Sequence, residues 1–288
     1  MVKISKYKTA DDIAVTLHVP PTGENFPAIL LCHGFCGIQE ILLPAFVNAF
    51  VAAGFAAVTF DYRGFGASGG EQGRLVPAMQ IADILTVLDS LTQEASIDSQ
   101  RIGLWGTSFG GCHVMAAAAQ AGERVKAVVS QLGFADGENV VTGAMTPEDK
   151  AGFIATLERM NDKKQATGKE MMVSITKVLS DDESKAFFEE NKAQYPAMDI
   201  KIPFLTVRET LRYKPADYAA KVTCPVLVMV AEQDKVNPPE QGIDLYHALT
   251  TADKKLVVEQ GAKHYDFYSG EHFTPVVAEQ TAWFTRWL

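Results

Sequence analysis

Apolar residues recur along this chain in two patterns, one typical of β-strands and the other of α-helices. Residues 27–33, 55–61 and 225–231 are almost continuously apolar, which is typical of strands buried on both faces. Residues 12–19 alternate apolar and polar, and 2–8 form another strand before them. Between these strands lie segments whose apolar residues have the spacing of a helix. This alternation of strands and helices predicts an α/β fold, with a mostly parallel sheet covered by helices on both faces. Further strands are predicted at a run ending in Gly106, at 125–131 and at 254–259, and helices at about 40–53, 76–93 and 274–287.

One long segment, residues 137–221, interrupts this alternation. Thr146 and Pro147 open a run with helical spacing, and a second helix is predicted where Met171, Met172, Ile175, Val178 and Leu179 recur. We therefore predict a core made of residues 1–136 and 222–288, with residues 137–221 inserted as a helical lid. Thr274 and Pro275 are the predicted cap and first turn of the last helix.

Composition excludes several classes of function. The 288 residues carry a formal net charge of −9, so the chain offers no basic field for nucleic acid. No stretch approaches the roughly 20 apolar residues of a membrane helix, and the start lacks a signal-peptide core. The four cysteines lack zinc-ligand spacing. These features predict a soluble cytoplasmic protein with no metal, no organic cofactor, no membrane partner and an oligomeric state left open, homo-oligomers included.

The motif Gly106-Thr107-Ser108-Phe109-Gly110 stands between a short apolar strand and an alanine-rich helix. A serine on such a tight turn adopts a strained backbone that lifts its Oγ out of the sheet. The helix after it directs free N–H groups and a positive dipole end towards a developing oxyanion. Ser108 is therefore the predicted nucleophile.

A serine hydroxyl needs a base, which on such a sheet lies just beyond the carboxyl end of a strand. His264 follows the strand at 255–259 by five residues and is the predicted base. His272, before the last helix, is the alternative. The other histidines are interpreted as structural or exposed: His18, His33, His113 and His247.

The base needs an acidic residue to orient it, and this residue is also expected just beyond the carboxyl end of a strand. Asp234 lies at the tip of the turn after the strand at 225–231, whereas Glu232, the alternative, leaves that strand earlier. The order Ser108, Asp234, His264 is the one expected for a serine on a strand-to-helix turn.

The oxyanion needs two N–H donors. The backbone of Phe109, directly after the nucleophile, is one prediction. The other is Phe35, in the loop 33–37, with Cys36 as the alternative because one sequence does not fix the register of this loop. The rings of Phe35 and Phe109 are also candidates for the wall of an acyl pocket.

These motifs together resemble the α/β-hydrolase superfamily over nearly the whole chain. The details look closest to small bacterial esterases and to its peptidase-like and polyketide-transferase-like branches. The matching stretches are 33–35, 61–70, 106–110, 127–131, 265–273 and the loops that carry Asp234 and His264. The resemblance implies the α/β-hydrolase fold and a serine-hydrolase site, with substrate choice residing in the lid.

The predicted function is hydrolysis of carboxylic esters through an acyl-enzyme, on a small substrate with an apolar acyl or aryl group. The same three residues also serve thioesterases, acyltransferases, amidases and peptidases. A non-catalytic receptor for a small ligand is the alternative from another class.

Overall fold

The computed structural model describes residues 1–288 and is organised by an eight-stranded sheet. Its strand order is β1-β2-β4-β3-β5-β6-β9-β10, and a separate pair, β7 and β8, is antiparallel. β2 pairs antiparallel with β1 and with β4, and the other neighbours are parallel, as predicted. The strands are β1 Lys3–Lys8, β2 Ala14–Val19, β3 Phe26–Cys32, β4 Ala56–Phe60, β5 Ile97–Thr107, β6 Ala127–Gln131, β7 Met172–Ser174, β8 Lys201–Pro203, β9 Val226–Ala231 and β10 Lys254–Glu259.

Helices cover both faces of the large sheet. The helices are α1 Leu43–Ala52, α2 Pro77–Leu91, α3 Phe109–Ala121, α4 Gly137–Thr142, α5 Pro147–Thr167, α6 Asp182–Asn191, α7 Thr206–Leu211, α8 Pro215–Ala219, α9 Pro239–Ala248 and α10 Gly270–Trp287. Residues of α2, α3, α8 and α9 pack on one face, and residues of α1 and α10 pack on the other.

The apolar strands supply both cores at once. In β9, Val226, Val228 and Val230 lie in the core under α3, whereas Leu227 and Met229 lie in the core under α10. Successive side chains of a strand point to opposite faces, so a strand with helices on both sides needs an unbroken apolar run.

The order of the strands fixes where a site can form. From β3 the chain continues to β4 on one side, and β5 then pairs with β3 on the other side. In an open parallel sheet such a reversal leaves a crevice outside the carboxyl ends of the two strands. The loop after β3 begins at His33, and the residue after β5 is Ser108.

The segment 137–221 lies between β6 and β9 and is helical only in part. α5 begins at Pro147 with the Thr146 hydroxyl accepting from the Asp149 N–H, as the sequence predicted. The second predicted helix is wrong, because residues 172–174 form β7 and residues 175–177 form a 3₁₀ turn. β7 pairs with β8, about thirty residues further along the chain, and this partner replaces the local helix.

The last helix begins at Gly270 rather than at Thr274, so Pro275 lies inside it. A proline there removes one helix hydrogen bond. Contacts made by the first turn compensate: the Phe273 ring lies 5.1 Å from Phe46, and His272 Nδ1 lies 2.8 Å from Glu259 Oε1.

Candidate active site

Ser108 lies on a sharp turn between β5 and α3 and adopts φ 54° and ψ −120°, a conformation that non-glycine residues rarely occupy. Two neighbours must be glycine. A Cβ on Gly106 would lie 2.2 Å from the Gly110 carbonyl oxygen, and a Cβ on Gly110 would lie 2.2 Å from that of Cys32. The tight packing of α3 against β3 and β5 therefore holds the serine at the carboxyl edge of the sheet.

Asp234 and His264 form a buried pair at the same edge. Asp234 Oδ2 lies 2.7 Å from His264 Nδ1, with the side chains 1% and 3% exposed. The other oxygen, Oδ1, accepts from the backbone N–H groups of Val236 and Asn237, at 2.8 Å each. Glu232 instead accepts from the Gly261 N–H and is exposed. The carboxylate of Asp234 thus orients the imidazole ring and favours the tautomer with a proton on Nδ1.

Ser108 and His264 line one cavity, but no hydrogen bond joins them in this structure. The Ser108 Oγ accepts instead from Asn237 Nδ2 at 3.3 Å. Hydrogen bonds of a catalytic site often align only when substrate binds. Asn237 was not assigned a role by the sequence, although it follows Asp234 by three residues in the same loop.

The remaining histidines lie elsewhere. His33 accepts from the Gly34 N–H through Nδ1 and lies 2.9 Å from the Ile41 carbonyl through Nε2, and burial lowers its pKa to about 4. His113 lies between Gln80 and Tyr213, and burial lowers its pKa to about 3. A hydrogen bond to Glu259 raises the pKa of His272, on α10. His33 thus shapes the loop after β3, and the alternative base His272 is engaged outside the cavity.

The loop after β3 approaches the nucleophile closely. Gly34 has room for no larger residue without crowding, since a Cβ there would lie 3.2 Å from Ser108 Cβ. The N–H groups of Phe35 and Cys36 donate to no acceptor within the protein, and both residues line the cavity with Ser108. Phe109 is the first residue of α3, and its ring meets that of Phe35 edge-on at 5.7 Å. Phe35 and Cys36 thus both border the cavity that Ser108 lines, and Phe109 follows Ser108 directly at the start of α3.

Two cavities meet at Ser108. The first, which we call the His264 cavity, measures about 70 Å³ and is bounded by His264, Tyr265 and Phe187. The second, the Asn237 cavity, measures about 390 Å³ and is bounded by Asn237 and Phe109. Its further apolar walls come from Phe134, Val140, Val141, Met145, Phe153 and Phe204. Phe35, Ser108, Leu179 and Val236 border both.

The segment 137–221 contributes walls to each cavity. Its Phe187 ring stacks on Tyr265, next to the imidazole, with centroids 4.5 Å apart.

No group of three or more His, Cys, Asp or Glu side chains in the molecule is arranged to hold a metal ion. No helix has the length and apolar character required to cross a membrane.

Comparison with known proteins agrees with this architecture. The model of the α/β-hydrolase fold family matches residues 27–271. A 31.7 kDa protein in the traX-finO intergenic region of Escherichia coli is 58% identical over all of both chains. The quorum-quenching protein AidA of Acinetobacter baumannii is 31% identical over 94% of this chain and 90% of its own. The crystal structure of the α/β-hydrolase GrgF from Penicillium superposes with a TM-score of 0.79 over 99% of this chain and 98% of that one, at 19% identity. The chain therefore belongs to the α/β-hydrolase family.

Proposed function

We propose that this protein hydrolyses carboxylic esters through an acyl-enzyme formed on Ser108. The observation that carries the proposal is the buried Asp234–His264 pair, 2.7 Å apart, in a cavity that the strained Ser108 also lines. A carboxylate, an imidazole and a hydroxyl gathered at one edge of a parallel sheet constitute a general-base nucleophile system.

In the proposed reaction, Ser108 Oγ attacks the ester carbonyl carbon while His264 Nε2 takes its proton. Asp234 stabilises the resulting imidazolium, and the N–H groups of Phe109 and of Phe35 or Cys36 stabilise the oxyanion. The carbon–oxygen bond to the alcohol then breaks, and His264 returns the proton to that oxygen. Water repeats the sequence on the acyl-serine, and its attack releases the acid and restores the Ser108 hydroxyl.

The two cavities suggest how the substrate is oriented. The leaving oxygen receives its proton from His264, so the alcohol belongs in the His264 cavity. The acyl group then extends to the other side of Ser108, into the larger and mostly apolar Asn237 cavity. This orientation supports a substrate with an apolar acyl or aryl group, and it makes the segment 137–221 a lid that determines acyl preference.

Acyl transfer to an alcohol or amine is the second candidate. The His264 cavity is narrow and bordered by apolar side chains such as Phe187, Phe188 and Met198, which favours an organic acceptor over bulk water. Turnover of a p-nitrophenyl ester with added alcohols or amines separates the two: free acid alone supports hydrolysis, whereas a new ester or amide supports transfer.

Replacement of Ser108 by alanine tests the proposal. The Ser108→Ala variant should lose p-nitrophenyl ester turnover and labelling by a fluorophosphonate, while Ser5→Ala, at an exposed position on β1, should keep both. Labelling or turnover that persists in Ser108→Ala contradicts the nucleophile assignment. A folded wild-type protein with neither activity supports the receptor alternative.

A further inference from the structure

The loop of the acid also delivers a hydrogen-bond donor to the nucleophile. Asn237 Nδ2 lies 3.3 Å from Ser108 Oγ and 2.7 Å from the Leu132 carbonyl oxygen. A carbonyl acceptor at 2.7 Å requires the NH₂ end of the amide to face it, since the amide oxygen has no hydrogen to donate. One hydrogen of Nδ2 therefore serves Leu132, and the other is directed at Ser108 Oγ.

Backbone contacts fix both the side-chain amide of Asn237 and the Ser108 that it faces. The backbone N–H of Asn237 donates to Asp234 Oδ1 at 2.8 Å, and the residue is 6% exposed. Leu132 adopts φ 56°, rare for a non-glycine residue, and its N–H donates to the Met229 carbonyl at 2.8 Å. The neighbouring Gln131 carbonyl accepts from the Ser108 N–H at 2.9 Å. Consecutive residues thus anchor both the nucleophile and its donor, and the contact is preorganised.

We propose that Asn237 is a catalytic residue that assists release of Ser108 from the acyl-enzyme, a role that rests on the proposed function. In deacylation, water adds to the acyl carbon and gives its proton to His264. The carbon–Oγ bond then breaks, its electron pair returns to Oγ, and the imidazolium supplies the proton. A donor aimed at Oγ stabilises the negative charge that grows there as this bond breaks.

The same contact assists acylation less. The free hydroxyl of Ser108 already accepts this hydrogen bond before attack, so the stabilisation is present in the ground state as well as in the transition state. The ester Oγ of the acyl-enzyme is a weaker acceptor, and the bond strengthens only as the carbon–Oγ bond breaks. The Asn237 N–H also occupies one acceptor position on the hydroxyl, which leaves the hydroxyl proton free to be directed at His264. The two half-reactions should therefore respond differently to loss of the amide.

The test uses Asn237→Leu, which keeps the size of the side chain and removes the donor, with Asn237→Ala as a second variant if the first is poorly folded. Gln233→Ala is the matched control, because the side chain of Gln233 is exposed in the same loop, and alanine keeps the backbone hydrogen bond from the N–H of residue 233 to the Ala262 carbonyl oxygen. Two rates are measured for each protein: phosphonylation of Ser108 by a fluorophosphonate, and decay of the acyl-enzyme formed from p-nitrophenyl butyrate, followed by quenched flow and intact mass.

Decay of the acyl-enzyme should slow by about tenfold to a hundredfold in the Asn237 variants, the range expected for a hydrogen bond to a charged oxygen. Phosphonylation should stay within about threefold of wild type, and Gln233→Ala should change neither rate. Equal losses in both rates would show that Asn237 only positions the loop, and an unchanged decay rate would exclude any role. A wild-type protein that forms no adduct at Ser108 would overturn the proposed function itself.

Discussion

Asp234 shows how three hydrogen bonds fix the position of one buried side chain. Its carboxylate is nearly fully buried, and three donors satisfy it: the His264 ring and the N–H groups of Val236 and Asn237. A buried charge without such partners would be strongly unfavourable. The turn after β9 therefore supplies both the stability of the carboxylate and its direction towards the imidazole.

Replacement of Asp234 by asparagine should lower kcat by about 10⁴, because an amide NH₂ facing Nδ1 favours the imidazole tautomer with its proton on the wrong nitrogen. Steady-state kinetics with a p-nitrophenyl ester measures the loss, and circular dichroism checks the fold. Glu232→Gln, two residues earlier and exposed, should retain wild-type kcat. Comparable losses in both variants would contradict the assignment of Asp234 as the acid.

The strands and turns that the sequence predicted correctly are those whose pattern of residues is local. β3, β5 and β9 were recognised because burial on both faces demands apolar runs, and the turn at Ser108 because only glycine fits beside it. The helix predicted over 171–179 was wrong because the pairing of β7 with β8 is set by residues about thirty positions away. Local spacing of apolar side chains contains no information on such a partner.

The contact of Asn237 with Ser108 was missed for a related reason. It depends on how the turn after β9 is placed against the residues after β6, where Leu132 supplies the carbonyl that holds the amide. The distance between two loops follows from sheet order and register, which no local motif encodes. Residue types in a loop thus singled out Asp234, which the structure pairs with His264, but not the contact of Asn237 with Ser108.

The two cavities lead to a paired prediction for the segment 137–221. Val140→Phe on α4 narrows the Asn237 cavity and should shift the preferred p-nitrophenyl ester towards shorter acyl chains. Thr176→Phe narrows the His264 cavity and should lower turnover of all acyl lengths alike. Specificity constants across esters from acetate to decanoate provide the measurement. A chain-length shift caused by Thr176→Phe and not by Val140→Phe would reverse the proposed orientation of the substrate.

At the scale of the whole molecule, the sheet separates two apolar cores, and several polar groups are buried between its strands and helices. His33 and His113 are among them, and burial lowers their pKa values to about 4 and about 3. Both rings are hydrogen-bonded in the neutral form, so the folded protein resists their protonation. Burial in the folded protein thus favours the neutral form of both rings.

These shifts predict that the free energy of unfolding falls with acidity. Between pH 6.5 and about 4 the unfolded chain protonates each histidine while the folded protein does not. Stability should therefore decrease as pH falls, by about 1.4 kcal/mol per pH unit for each ring. His113→Gln should reduce this slope by about one ring's share in urea titrations, whereas His247→Gln, at an exposed position on α9, should keep it. An unchanged slope in His113→Gln would contradict the burial argument.

In the proposed reaction, Ser108 carries the acyl group between the two half-reactions. Rapid acid quench of the protein during turnover of p-nitrophenyl butyrate, followed by peptide mass spectrometry, tests it directly. We expect a butyryl mass increment on the peptide that contains Ser108, and no such increment in Ser108→Ala. Ester turnover with no adduct on that peptide, or with an adduct on another residue, would contradict it.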